Sequence, residues 1–425
     1  MAEREAHAIG VIGAATAGAE AAAIFAREGI LTAVFEQNAR PYGKVEDGLP
    51  RWHTALRKKE YAAIDSKLTA AHVHYVPNTT IGGELTLAQL ISDWGFQAVV
   101  LANGAWRDRP LAVDGAERWV GKGLVYQNPF IYWFNHYNEA SYAGEQFEII
   151  DGTAVIGGGL ASIDVAKVIQ LELTLRAARE RGVELDLVET EVAGIPRTLA
   201  KHGLSFENLG IEGCTIYYRR RPEDMPLVEL PDDANDKVRE RVTKSRGRVL
   251  QKALDKYLFR IEPLRAPHEL IVEDDHLVGL VFAVTEVENG RVRATDARVE
   301  VRAPLFISSI GSVPEPIPGI QMKGELYPFD DWDLGRIEEY PTLFGVGNVV
   351  TGKGNIVASR KHAKSVANYM TEAYLQLADS VKKMEPLPED THRELRERIT
   401  AQQRRAGYDG NYEAWIAAAT PPDRV

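Results

Sequence analysis

Twice in this chain a short apolar run breaks into glycine and then turns helical, and a sequence that does this twice is constrained to hold two copies of one strand–turn–helix unit. In the first copy Ala8 to Ile12 reads as a buried strand, Gly13-Ala-Ala-Thr-Ala-Gly18 as the turn, and Ala19 to Glu28 as an alanine-rich helix, with a second strand from Leu31 to Glu36. In the second, Thr153-Ala-Val-Ile leads into Gly157-Gly-Gly-Leu-Ala-Ser-Ile-Asp-Val-Ala166. Gly157 and Gly159 allow a tight turn and the close approach of a pyrophosphate. The helix that Leu160 and Ala161 open offers free N–H groups and the positive end of its dipole. Gly13 and Gly18 fill the same roles in the first turn, where the middle glycine of the usual fingerprint is Ala15 and a methyl is the smallest possible intrusion. The expectation is an α/β protein of two Rossmann-like, doubly wound, three-layer domains, each holding a dinucleotide.

The strand end beyond each turn tells the two nucleotides apart. Glu36 ends the strand about 20 residues after the first turn, where a carboxylate accepts hydrogen bonds from an adenosine ribose. After the second turn the helix runs to about Arg181, an excursion spans Gly182 to Gly213, and the strand Thr215 to Tyr218 then ends in Arg219-Arg220-Arg221. Three guanidinium groups stand where an NAD site would place a carboxylate, and their donor forks suit the 2′-phosphate of NADPH. A solvated charge run is the alternative reading of the same residues.

Between the turns, Arg40 to Pro50 is an irregular segment carrying Gly43, and Arg51 to Lys67 reads as a charged helix. His72 to Val76 reads as a strand, Leu85 to Ser92 as a helix, and Ala98 to Ala102 as an apolar strand ending in Asn103-Gly104-Ala105. Arg107 to Pro110 suits a crossing between lobes. Asp232 to Ala253 reads as a long charged helix, and the segments near Tyr257, Glu269, Leu277 to Val287 and Arg291 to Val301 read as β-structure with Asn289-Gly290 as a hairpin turn. Pro304 to Ile310 is a further strand. Leu343 to Asn355 then opens a helix to about Ala378, and here the chain returns to the first lobe. The boundaries that result are 1–110 with 312–385 for the first domain, 111–311 for the inserted one, and 386–425 for a charged helical tail with Tyr408, Tyr412 and Trp415. A docking arm or an oligomer contact would both suit that tail.

Composition narrows the class. With 61 acidic against 50 basic residues the net charge is -11, which argues against general affinity for nucleic acid or anionic membrane. No apolar run approaches the roughly 20 residues of a membrane span, and MAEREAHAIGVIG enters a strand too soon for a signal peptide, so the expected location is cytoplasmic. Cys214 is the sole cysteine, which rules out a CxxC redox pair and any cysteine-ligated cluster or metal site built by this chain alone.

These residues resemble the flavoprotein reductases that include adrenodoxin reductase and the bacterial ferredoxin–NADP reductases related to it, together with the small subunit of glutamate synthase. The resemblance runs over most of Gly10 to Ala367. It is carried by Gly13 to Gly18 with Glu36, Leu101 to Arg107, Phe130-Ile-Tyr-Trp-Phe-Asn135, Gly157 to Ala166 and Gly347 to Ile356, while Tyr218 to Pro226 is more similar to the glutamate synthase small subunit. It implies a discontinuous FAD domain with an NADP domain inserted in it. Gly13, Ala15, Gly18, Glu36, Gly43, Asn103 and Gly104 would hold FAD, and Gly347, Asn348, Gly354, Asn355 and Ile356 would approach the flavin end. Gly157, Gly159, Leu160, Ala161, Arg219 and Arg220 would take NADPH. The family often has Thr where Asn103 stands and Asp or Trp where Asn348 stands. His53 falls where the adrenodoxin reductase type has a histidine near the flavin, and Glu229 near its acidic partner, which makes both catalytic candidates. An ordinary histidine and glutamate at helix starts are the alternatives.

Two nucleotide sites in one chain imply hydride transfer from nicotinamide to flavin. With no CxxC and no cluster, electrons would leave the flavin directly for a separate acceptor, a ferredoxin or similar small iron–sulfur protein, with Arg107, Arg109, Lys353, Arg360, Lys361 and Lys364 as a candidate docking patch. Three other readings are a flavin subunit of a larger redox complex, a flavin monooxygenase or amine oxidase, though no stretch resembles the Baeyer–Villiger linker signature, and a nucleotide-binding redox sensor without catalysis.

Overall fold

The computed structural model describes residues 7–231, 233–375, 384–422 and 424. Met1 to Ala6, Asp232 at the expected start of the long helix, and Ala378 at the expected end of another lie outside the described residues. The chain divides into two units. One holds residues 1–107, 138–142 and 312–425, and the other 108–137 and 143–311.

In the first unit β1 (Ala8–Ile12), α1 (Thr16–Arg27) and β2 (Leu31–Phe35) form the opening βαβ. There follow α2 (Lys44–Asp47), α3 (Thr54–Leu68), β3 (Val73–Val76), a single π-helical turn at Gln89–Asp93 and β4 (Ala98–Leu101). The inner strands β1 and β4 are apolar and buried throughout because both faces of the sheet are covered. Ile9, Val11 and Val34 enter one core with Ile24 and Phe25 of α1. Leu31, Ala33 and Phe35 enter the other.

The second unit begins beyond the short β5 (Arg107–Asp108) with β6 (Leu124–Tyr126) and α4 (Gln127–His136), then β7 (Ala154–Gly157) and α5 (Leu160–Arg179). The excursion after α5 folds as three short helices, α6 (Leu187–Ala193), α7 (Ile195–Ala200) and α8 (Phe206–Leu209). Then come β8 (Thr215–Tyr218), α9 (Asp236–Tyr257) and β9 (Arg260–Pro263), so Tyr257 ends a helix instead of lying in β-structure. The unit closes with β10 (Arg265–Glu273), β11 (His276–Glu288), β12 (Arg291–Arg302) and β13 (Phe306–Ser309). Its main sheet is parallel in the order β6-β13-β7-β8-β9, and β10-β11-β12 form an antiparallel sheet beside it. Leu124, Ile156 and Phe306 of the first share a core with Leu280 and Phe282 of the second.

The chain then returns to the first unit through β14 (Ser312–Val313), β15 (Arg336–Ile337), β16 (Tyr340–Gly345), α10 (Asn348–Thr351) and α11 (Ile356–Tyr369). This completes the sheet order β15-β16-β4-β1-β2-β3, parallel except for β15. The tail, α12 (Glu389–Arg405) and α13 (Tyr412–Ala419), packs on its own unit. Leu395 and Ile399 enter one core, and Tyr408 and Tyr412 the other. Trp415 Nε1 donates to Ala39 O at 2.7 Å. The tail aromatics are therefore core side chains and do not form a free arm. Among the described residues no helix is long and apolar enough to cross a membrane.

Candidate functional site

The first turn is built by close approach. A Cβ on Gly13, whose φ is +99°, would lie 2.6 Å from Ala102 O, and one on Gly18 would lie 1.8 Å from Gly13 O, so α1 can seat against the end of β1 only without side chains there. Ala15 is the N-cap of α1. Its methyl faces Gly43, where a Cβ would lie 2.9 Å away and where φ is +49°. The departure from the fingerprint is thus matched by a glycine 28 positions later. No side chain caps α1 and its first turn holds no acid, so its leading N–H groups are left for a ligand anion.

Glu36 is buried just beyond β2. Its Oε2 accepts from Ala14 N–H and its Oε1 from Asn38 N–H, both at 3.0 Å, which ties the ribose-reading position to the turn itself. Burial pushes its carboxyl up to about 7, against the pull of those two N–H donors. At the end of β4, Asn103 Oδ1 is buried and meets no hydrogen-bond partner among the described residues, while its amide nitrogen donates to Tyr327 Oη at 3.5 Å. Such an orphaned acceptor beside the first turn fits a donor on a bound cofactor. Gly104, with φ +68°, comes next in the turn.

Across the same unit, Gly347 has φ +74°, and a Cβ there would lie 2.5 Å from the Ala17 methyl of α1. Its N–H donates at 3.0 Å to His362 Nδ1 on α11, and the other ring nitrogen faces Trp332 O at 3.3 Å. Burial lowers the pKa of His362, and these two partners assign the proton to Nε2. Sequence reading passed over His362, for no local pattern couples a histidine to a glycine 15 residues earlier. Asn348 Oδ1 accepts from Gly354 N–H at 2.7 Å, and Asn355 caps α11, its Oδ1 accepting from Ala358 N–H at 2.6 Å, with Ile356 the first helical residue. Both asparagines shape this turn through their side-chain oxygens, which accept from backbone N–H groups. His53 is the N-cap residue of α3, half-buried, with its ring 5.9 Å from that of Trp52.

In the second unit a Cβ on Gly157 would lie 2.2 Å from Ser162 Oγ and 2.3 Å from Ser309 O, and one on Gly158 would lie 2.2 Å from the Tyr218 ring. At Gly159 nothing lies within 4 Å of the added Cβ. The first two glycines are forced by packing, and the third faces the open space a pyrophosphate would take. Ser162 replaces the last glycine of the fingerprint and donates to Ser309 O at 3.0 Å. Like α1, α5 has no side-chain cap and no first-turn acid, so the N–H groups from Leu160 and Ala161 onward face the turn unopposed. By contrast, α9, α11 and α13 are capped by Asn235, Asn355 and Asn411.

Beyond β8 the three arginines are not equivalent. Arg221 is taken up by Asp224, with Nε donating to Oδ2 at 3.0 Å and Nη2 to Oδ1 at 3.3 Å. Arg220 leans on the same carboxylate at 3.8 Å and donates to Gly290 O at 3.2 Å. Arg219 is exposed, and among the described residues none pairs with its guanidinium. Glu229 is exposed in the loop before α9, seven residues ahead of the first helical residue Asp236, and so is not a helix-start glutamate. Of the candidate docking cations, Arg360 is ion-paired to the buried Glu60, which removes it from a free patch, whereas Lys361 and Lys364 are exposed on α11. Cys214 is fully buried and its thiol is pushed well up by burial, which leaves it inert.

Two glycine turns of one architecture, each at the end of a parallel β-strand and each opening an uncapped helix, define an α/β protein with two Rossmann-like units. FprA from Mycobacterium tuberculosis, solved in complex with NADPH, shares this fold with a TM-score of 0.70, at 21% sequence identity over 94% of this chain and 90% of that one. No family model matches the chain. Among curated proteins it is similar to the mitochondrial NADPH:adrenodoxin oxidoreductase of Arabidopsis thaliana, 21% identical over 79% of this chain and 74% of that protein. It is also similar to the small chain of glutamate synthase [NADPH] from M. tuberculosis, 30% identical over 131 residues, which are 31% of this chain and 25% of that protein. These relatives are the two groups named by the motif resemblance.

Proposed function

We propose that this protein is an FAD-dependent NADPH oxidoreductase that passes electrons to a small iron–sulfur protein. One observation carries the reading: the two uncapped glycine turns lead to strand ends of opposite charge, Glu36 in one unit and Arg219-Arg220 in the other. FAD held in the first unit would supply the hydride acceptor and the one-electron donor. The residues of the chain hold and select. Gly13, Ala15 and Gly18 set the FAD pyrophosphate on the N-terminus of α1, with Gly43 making room for the methyl of Ala15. Glu36 accepts from the ribose, and Asn103 Oδ1 from the flavin half. His362 holds the Gly347 turn through its neutral ring. Gly157 and Gly159 bring the NADPH pyrophosphate onto α5, and Arg219 and Arg220 take its 2′-phosphate. His53 and Glu229 remain the proposed proton-handling groups. An acidic carrier suits the exposed Lys361 and Lys364 of α11.

A visible spectrum and then anaerobic NADPH titration test the reading. Flavin absorbance that bleaches with one equivalent of NADPH is expected, and a protein that neither contains nor takes up FAD would refute it. The match to glutamate synthase small chain favours a second reading, a flavin subunit of a larger complex, which co-purification of a stoichiometric partner chain would support.

A further inference from the structure

The arginines beyond β8 do not hold their place alone. Thr285, fully buried in β11, donates its Oγ1 to Arg219 O at 2.8 Å, and Leu264 N–H donates to Arg220 O at 3.2 Å. Thr285 N–H in turn donates to Leu264 O at 3.1 Å, so one short chain of hydrogen bonds pins both arginine carbonyls to the antiparallel sheet. The guanidinium of Arg220 reaches Gly290 O, in the hairpin turn of the same sheet. Ahead of this contact, Tyr217 of β8 stacks on Phe282 of β11 with ring centroids 4.8 Å apart, which registers the two strands.

The pairing of β11 with β12 breaks at this point. Ala283 faces Arg298, yet Thr285 faces Ala294, so three residues of β12 lie opposite one of β11. Thr295, one of the three, donates its Oγ1 to Val284 O at 3.0 Å and satisfies the carbonyl that the break exposes. Ala283 and Thr285, two residues apart on β11, are both buried across the break. A bulge of this kind re-aims side chains. Here the extra residues lie on β12, opposite the segment of β11 whose Thr285 hydroxyl meets the Arg219 carbonyl.

We infer that Thr285, held by the β11–β12 bulge, is a positioning residue for cofactor selectivity: it fixes the backbone of Arg219 so that the guanidinium meets the 2′-phosphate of NADPH. The inference rests on the reading of Arg219 and Arg220 as the phosphate fork. NADH lacks that phosphate, so loss of the positioning bond weakens NADPH alone.

The test measures KM for NADPH and for NADH on the FAD-loaded protein with ferricyanide as acceptor, both cofactors on one preparation so that any inactive fraction cancels. Thr285→Val, which keeps the shape and removes the hydroxyl, is expected to raise KM for NADPH by about fivefold, the effect of one lost neutral hydrogen bond, with KM for NADH unchanged. Thr285→Ser restores the wild-type value. Thr295→Val, at a half-buried position, moves the ratio in the same direction and carries the test if Thr285→Val does not fold. Equal rises in both KM values, or a ratio unmoved by these variants while Arg219→Ala moves it, would overturn the inference. A ratio unmoved by Arg219→Ala itself would refute the phosphate reading beneath it.

Discussion

The turns at Gly13–Gly18 and Gly157–Ser162 are the same device finished differently. In both, a glycine backbone at the end of a parallel strand is pressed against the neighbouring strand, Ala102 O in one case and Ser309 O in the other, and in both the next helix lacks a capping side chain. They part at the last position of the fingerprint. At Gly18 a Cβ would collide with the turn's own carbonyl, whereas Ser162 uses its side chain to bond the adjacent strand. They part again at the next strand end, where one unit presents a buried carboxylate tied to its turn and the other a free guanidinium. In the proposed function the shared half of the device would take the pyrophosphate, and the unshared half would select the nucleotide that carries it.

Substitution at the last positions strikes hardest at the likeness. Gly18→Val should abolish flavin retention, because the side chain must displace the Gly13 carbonyl, and a purified variant with full flavin absorbance would show that the turn does not hold FAD. Ser162→Ala should cost only about 1 kcal/mol of stability, one hydrogen bond, read from urea unfolding.

Next in size is the charge at the second strand end. Arg219→Ala is expected to raise KM for NADPH about tenfold to a hundredfold through the loss of a charge-assisted hydrogen bond, and to leave KM for NADH unchanged. Arg221→Ala should do much less, since Asp224 already occupies that guanidinium. Steady-state kinetics with the two cofactors separate these outcomes.

The smallest effect concerns the carboxylate. Burial raises the Glu36 pKa from 4.5 to about 7 in the ligand-free fold, so between these values the folded protein holds a proton that the unfolded chain releases. The contribution of Glu36 to stability is therefore present below about pH 4.5 and declines as pH rises through about 7. Ribose hydroxyls donating to Glu36 favour its ionised form, so FAD affinity should climb by roughly tenfold from pH 5 to pH 8. Titrating apoprotein with FAD across that range checks the slope, and Glu36→Gln should flatten it.

Much of this was legible from residue order because the chemistry is local. Strand, glycine turn, helix and strand end lie within some 30 residues in the first unit, and an acid at position 36 or arginines at 219 to 221 mark the two strand ends by opposite charge. What escaped was set by distant contacts. The methyl of Ala15 reads as a defect until Gly43 is seen opposite it. Arg360 reads as a surface cation, yet its partner Glu60 lies 300 positions away. Thr285 is one threonine in a strand, and only the bulge gives it an address. The aromatic tail reads as either a docking arm or an oligomer contact because nothing in its sequence names the two cores it enters.

The return of the chain to the first unit has a consequence during synthesis. β4 pairs with β1 on one edge and with β16 on the other, and β16 is formed by residues 340–345. Every residue of the inserted unit leaves the ribosome before that edge can close. The apolar edge Ala98-Val-Val-Leu101 thus waits unpaired through some 240 residues of translation, the interval in which an open strand invites pairing with another chain. Assembly of the inserted unit in the meantime brings the two chain segments of the first unit together and shortens the loop that must close.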